Sequence, residues 1–387
     1  MRAIINGKVI LENCILEDKV VLFDTQIKEL INKIEFEKNV NEGSYNGIDI
    51  IDAKGSYVSP GFIDLHIHGS GGRDAMDGEL EDLKVISQSI AQNGVTGFLP
   101  TTMTMSKEKI YKALDNIKEG MKLDLGGAKV LGAHMEGPFI NPKYKGAQKE
   151  DYIIEPDYNF INGYEDVIKI ITLAPEKDNN SQFIKSIKEN TNIVLSIGHS
   201  DATYEEAMES IEKGVSHATH LFNAMSPLNH RKPGVIGAVF NSNINCELIA
   251  DKIHVHPGVF QTVINIKGVN KVILITDSMR AGCMKDGVSE LGGQKVIVKD
   301  NSARLEDGTL AGSILTLNKA VKNMVENTNL NIYQAISMVS LNSAKDIGIS
   351  DRKGSIEEGK DADIVIFDEE YNVRHTIVEG KTVFTKI

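Results

Sequence analysis

The feature that most constrains this chain is a repeat of texture. Between about residue 56 and residue 345, short apolar runs alternate with stretches of helical periodicity. Eight such runs can be read: YVSPGFIDLHIH, GVTGFLPTTM, KVLGAHMEGPF, VIKIITLAP, NIVLSIGHS, SHATHLFNAM, NCELIADKIHV and KVILITDSM. Helical pieces lie between them. In residues 79–94, Leu80, Leu83 and Ile86 share a face and Gly94 follows the end. In residues 201–214, Ser200 or Asp201 is the expected N-cap, Ala207 and Ile211 are spaced four apart, and Gly214 closes the helix. Alternation of this kind builds parallel βα units, and eight of them close a barrel. A doubly wound sheet would show five or six strands and a glycine-rich first turn, which is not found. The expectation is an α/β fold with a (β/α)8 TIM-type barrel over residues 56–351.

The ends differ. Residues 1–55 and 352–387 read as short strands with tight turns, Asn6-Gly7 and Glu379-Gly380 being hairpin-turn candidates. They are expected to form one small, discontinuous β-sandwich-like domain with the barrel inserted between. Residues 25–46 are polar and are compatible with loop or part helix. A length of 387 residues suits a barrel of about 250 plus such an appendage.

Composition narrows the partners. The net charge is −12 and no block of lysines and arginines occurs, which argues against nucleic acid or an anionic membrane. Any bound anion must be held by a few local cations. The first residues alternate apolar and polar without a signal-peptide core, and no apolar run is long enough for a membrane span. Cys14, Cys246 and Cys283 are far apart and form no C-x-x-C pair. The expectation is a reduced, cytoplasmic protein.

The polar residues fall at the C-terminal ends of the apolar runs. Run one ends in His66 and His68; run two in Thr101 and Thr102. Run three carries His134 and Glu136, run five His199, and run six His220 and Asn223. Run seven carries Asp251 and His254, and run eight Asp277. In a strand, residues two apart share a face, so His66 and His68 point the same way. Each residue taken alone has an ordinary reading: a strand-end histidine is commonly hydrogen-bonded, and Asp277 before Ser278 suits a turn cap. As a set they would converge at the mouth of a barrel. Imidazoles and a carboxylate there suit a divalent ion with a position left for water. Such an ion lowers the pKa of water toward about 7. A carboxylate such as Asp277 can take the proton and return it to a leaving group.

With PGFIDLHIHG, AHMEGPFINPKYKGAQ, IGHSDA, THLFNAM, HRKPG, ITDSM, DGTLAGS and the closing GSIEEGKDADIVIFD laid out, the chain resembles the amidohydrolase superfamily nearly end to end. Within it, the chain is similar to the branch that deacetylates N-acetylglucosamine 6-phosphate. The resemblance implies a metal-dependent hydrolase of a linear amide in amino-sugar metabolism. It implies that Glu136, His199 and His220 hold the principal metal, that His66 and His68 add a second, and that Asp277 is the catalytic acid/base. Substrate would be bound by Ala147, Gln148, Asn223, Ala224, His254, Leu310, Ala311 and Gly312. His230 and Arg231 would reach the phosphate in a neighbouring subunit, which implies a homodimer. One or two ions per subunit are implied, Zn or Fe in first place, with Mn or Co also compatible with N/O ligands. The rival readings are an amidohydrolase of cyclic amides or bases, and a catalytically silent sugar-phosphate-binding homologue.

Overall fold

The computed structural model describes residues 1–386. Eight parallel strands follow one another around a barrel. They are β1 (Phe62–Ile67), β2 (Val95–Thr102), β3 (Ala133–Glu136) and β4 (Ile168–Leu173), then β5 (Val194–Ile197), β6 (His217–Ala218), β7 (Asn245–Ile249) and β8 (Val272–Ile275). Each pairs with its successor in parallel register. Around them lie α1 (Leu80–Ala91), α2 (Lys107–Gly120), α3 (Gln182–Asn190), α4 (Tyr204–Lys213), α5 (Gly234–Phe240), α6 (Pro257–Lys267) and α7 (Leu317–Asn327). Two short helices, α8 (Ile332–Ser337) and α9 (Leu341–Asp346), complete this part.

The seam between β8 and β1 is closed largely by side chain and loop. Ile67 bridges Ser278 in parallel, and Asp277 N–H donates to His66 O at 2.8 Å. The buried Asp64 carboxyl accepts from Thr276 N–H and Oγ1–H at 3.2 and 2.6 Å. Burial pushes the Asp64 pKa up to about 7.

Several sequence expectations are refined. The first apolar run divides: Tyr57–Pro60 joins a six-stranded sheet with Lys8–Ile10, Ile15–Leu16, Ile364–Phe367, Val373–Val378 and Lys381–Thr385, and only Phe62–Ile67 enters the barrel. A second sheet of four strands is built from Arg2–Ile5, Lys19–Phe23, Ile27–Asn32 and Asp49–Asp52. Glu379-Gly380 is a hairpin turn between paired strands, with φ of 46° and 79°. Asn6-Gly7 is not a hairpin: the strands on either side belong to different sheets, and the turn carries the chain from one to the other. A Cβ on Gly7 would meet Val58 at 2.4 Å, so the crossing itself requires glycine. The open segment 25–46 contains the strand Ile27–Asn32 and a helix over Lys33–Asn41.

The cap of α4 is Thr203, in a reciprocal box with Glu206, instead of Ser200 or Asp201. Those two residues are held by Glu176, which accepts from Ser200 Oγ–H and Asp201 N–H at 2.7 Å each. Along α1, Leu83, Ile86 and Ile90 are buried while Leu80 is exposed. Two departures from plain alternation frame the mouth. Between β3 and β4 the chain makes 3-10 turns at Pro142–Tyr144, Glu150–Tyr152 and Tyr158–Phe160 in place of an α-helix. After β8 it inserts a three-stranded antiparallel sheet, Gly287–Leu291, Gln294–Lys299 and Ser302–Leu305, which was not legible as such. Gln294 Nε2–H donates to Ala147 O at 2.6 Å and ties this flap to the β3–β4 loop.

Candidate metal centre and active site

Strand alternation puts Asp64, His66 and His68 on the inward face of β1, and His134 and Glu136 on that of β3. The residues beyond the strand ends are turned inward by the backbone. His199, His220 and Asp277 hold φ of 49°, 31° and 48°. This region costs a non-glycine residue about 1–3 kcal/mol and is concentrated at functional sites.

The side chains meet around the Glu136 carboxylate. Its Oε1 is 3.1 Å from both His199 Nε2 and His220 Nε2, and 3.4 Å from His66 Nε2. Its Oε2 is 3.4 Å from His68 Nε2 and accepts from Gln148 Nε2–H at 2.6 Å. Asp277 Oδ1 lies 3.5 and 3.3 Å from the Nε2 atoms of His66 and His68.

The far side of each ring decides what it presents to the centre. His199 Nδ1 faces Tyr144 O at 2.8 Å, His68 Nδ1 faces Thr101 O at 3.2 Å, and His66 Nδ1 faces Glu247 Oε2 at 3.0 Å. Carbonyl and carboxylate oxygens only accept, so each Nδ1 carries the proton and, in the neutral ring, leaves an Nε2 lone pair facing inward. His66 Nε2 is buried without a hydrogen-bond partner. Among the described residues, the triads Glu136/His199/His220 and His66/His68/Glu136 each bring three donor atoms within 4.8 Å of one another. The donor set fits a divalent cation of borderline softness.

Charge points the same way. Burial alone would raise the Glu136 carboxyl, yet His199 and His66 hold it well below the usual range. Burial alone would lower the His68 imidazole, yet Asp277 and Glu136 push it up to about 10. The carboxylates thus draw positive charge to the place where a cation would supply it. His134 is different: Nδ1–H donates to Leu65 O at 2.9 Å and Nε2 faces Thr172 Oγ1 at 2.7 Å. Burial and the nearby His66 drive its pKa down to about 3, and it is a hydrogen-bonded residue of the barrel interior.

A cavity of about 370 Å³ opens above this cluster. It is lined by His68, Glu136, His199, His220, His254 and Asp277, and among the substrate candidates by Ala147, Gln148, Asn223, Ala224, Leu310 and Gly312. His66 lies beneath the floor, fully buried. Ala311 is buried behind the lining, its N–H bonded to Ala303 O. Gly312 passes so close to Asp277 that a Cβ would sit 2.9 Å from its carbonyl oxygen. His254 is oriented by Asp251, whose Oδ2 accepts from Nδ1–H at 2.6 Å. Gln148 has both ends of its amide engaged, donating to Glu136 and accepting from Thr104 N–H at 2.7 Å.

His230 and Arg231 are exposed on the β6–α5 loop and do not line the cavity of their own chain. Among the described lining residues the single lysine or arginine is Lys143, whose Nζ lies 2.8 Å from both oxygens of Asp201. Sequence reasoning missed Lys143, Thr309 and above all Glu247. The signal for Glu247 was present: a lone carboxylate inside the apolar run NCELIA must be paired when buried.

The Amidohydrolase family model matches residues 57–383. The chain is 44% identical over 337 residues to the N-acetylglucosamine-6-phosphate deacetylase of Bacillus subtilis (strain 168), covering 85% of each chain. It is 34% identical over 340 residues to the N-acetylgalactosamine-6-phosphate deacetylase of Escherichia coli O157:H7, covering 86% of this chain and 89% of the relative. The crystal structure of N-acetylglucosamine-6-phosphate deacetylase from Pasteurella multocida superposes with a TM-score of 0.92 at 32% identity, over 100% of both chains.

Proposed function

The chain belongs to the amidohydrolase family, and from that membership and its site we propose that it hydrolyses N-acetyl-D-glucosamine 6-phosphate to D-glucosamine 6-phosphate and acetate. The observation that carries the reading is the convergence of Glu136, His199, His220, His68 and Asp277 on the floor of one cavity, with His66 beneath it. Glu136, His199 and His220 would hold a principal ion, and His66 and His68, with Glu136, a second; Zn or Fe fits these ligands, as do Mn and Co. A bound divalent cation supplies Lewis acidity and makes water a competent nucleophile at neutral pH.

The remaining steps belong to the chain. Asp277 takes the proton of the attacking water and passes it to the amine nitrogen as the C–N bond breaks. His254, held by Asp251, orients the acetyl carbonyl. Ala147, Gln148, Asn223, Ala224, Leu310, Ala311 and Gly312 form or back the wall around the sugar. The phosphate is remote from the scissile bond, so its binding energy serves to align the acetamide. With Lys143 engaged by Asp201, the phosphate's cation is assigned to Arg231, beside His230, from a second copy of the chain. That makes the working unit a homodimer. A planar guanidinium suits a phosphate. The barrel over 56–351, the β-domain from 1–55 and 352–387, and a cytoplasmic setting belong to the same reading; among the described residues no helix is long and apolar enough to cross a membrane.

The test is acetate release from N-acetylglucosamine 6-phosphate beside unphosphorylated N-acetylglucosamine, on protein as purified, chelated and metal-restored. Release far faster from the phosphorylated sugar, lost on chelation and regained with metal, is expected. No release with any metal refutes the deacetylase and turns the search to cyclic amides and bases.

A further inference from the structure

Below the metal centre the barrel interior holds charge where packed apolar layers are usual. Glu247, in the middle of β7, has no exposure. Its Oε2 accepts from His66 Nδ1–H and from the main-chain N–H of His220, each at 3.0 Å. One carboxylate oxygen thus grips two of the residues that converge on Glu136. The other oxygen lies 3.3 Å from His217 Nε2, and Nδ1 of that ring lies 2.9 Å from Asp346 Oδ2 on α9. Neither approach is aligned for a hydrogen bond, so the His217 ring rests between two carboxylates by charge. Asp346 is fixed in turn by Asn245 Nδ2–H at 2.5 Å.

We infer that Glu247 is a positioning residue of the metal centre: it holds His66 with Nδ1–H turned down and Nε2 aimed at Glu136, and it sets His66 against His220. His217 and Asp346 keep Glu247 in place from the foot of the barrel. The inference rests on the metal-hydrolase reading above. A free imidazole has two tautomers of similar energy; an anion at Nδ1 selects one and makes the opposite nitrogen a better donor. A separate ion between His66, His134 and Glu247 is excluded by His134. Those donor atoms are close, but His134 Nδ1–H is committed to Leu65 and Nε2 to Thr172.

The experiment uses the full chain stripped by chelator, with readouts that involve no substrate, so failure of the deacetylase reading would not touch them. Nitrogen-15 NMR of labelled histidines should find His66 protonated at Nδ1 in the unmodified protein, and bare at Nε2 once Zn²⁺ is bound. Calorimetric titration with Zn²⁺, with bound metal counted, then compares Glu247→Gln, which keeps the volume and removes the charge. Its affinity at the His66-dependent position should fall by about 10- to 100-fold. The Glu136/His199/His220 position should hold Zn²⁺ more nearly as before. His217→Gln should shift affinity in the same direction and by less. Unchanged zinc affinity and stoichiometry in Glu247→Gln would overturn the inference. If that variant does not fold, the His66 tautomer in the unmodified protein and the His217→Gln titration decide. A His66 bare of a proton at Nδ1 there, or unaltered zinc binding in His217→Gln, counts against it.

Discussion

His199 and His220 face one another through their Nε2 atoms at 3.1 Å, over the same oxygen of Glu136. His199 has its proton committed at Nδ1, so the contact brings a lone pair against its neighbour unless a proton or a cation lies between them. Relief of that repulsion should appear as stability. Zn²⁺ at a hundredfold excess over its dissociation constant should stabilise the chelated protein by about 2.7 kcal/mol. For a chain of this size that is roughly 3 °C in Tm. A thermal melt with and without metal checks this, and equal melting temperatures would count against the site.

Asp277 touches the centre through His66 and His68, and its backbone is pinned by hydrogen bonds to His66 O and from Ser313 N–H. Asp277→Asn keeps the shape and removes the proton acceptor. Turnover should fall by about 10²- to 10⁴-fold, with KM changed little. Steady-state kinetics with metal analysis separates this from simple loss of the ion.

Gln148 lines the cavity, yet its amide is engaged by Glu136 and Thr104. Gln148→Ala should therefore lower kcat and metal retention more than it raises KM. A pure KM effect would assign Gln148 to the sugar instead.

Arg231 lies on an exposed loop and does not line the cavity of its own chain. Arg231→Ala should raise KM for the phosphorylated sugar by about 10- to 100-fold, a loss of 1.4–2.7 kcal/mol of binding, and leave the slow reaction of an unphosphorylated analogue unchanged. Equal losses on both substrates, or a monomer by light scattering, would refute the shared site.

His217 gives a dependence on pH. Burial alone would lower its pKa, but Asp346 and Glu247 outweigh burial and push it up to about 10 from 6.5. A histidine raised on folding contributes stability that is complete below pH 6.5 and is lost as the pH climbs to about 10. The slope approaches 1.4 kcal/mol per pH unit for one proton. Urea unfolding across that window should show the decline in the unmodified protein and a flatter course in His217→Gln. Parallel curves would place the neutral ring between its two carboxylates.

Some of this was legible in the chain and some was not. Alternation of apolar runs with helical periodicity depends only on local geometry, so all eight barrel strands were readable, as was the clustering of polar residues at their C-terminal ends. Thr203 as the α4 cap was not, because Ser200 and Asp201 are locally better placed and are withdrawn by Glu176, some 24 residues earlier. Asn6-Gly7 has the composition of a hairpin turn, and only the separation of two sheets makes it a crossing.

The sequence by itself determined the barrel and which polar residues meet at its mouth, since strand period and strand order bring those residues together whatever else the chain does. Tertiary structure alone decided what each of them presents there. The free nitrogen of His66, His68 or His199 is chosen by an oxygen of Glu247, Thr101 or Tyr144, far away in sequence or on another element. An imidazole carries no local preference strong enough to choose for itself.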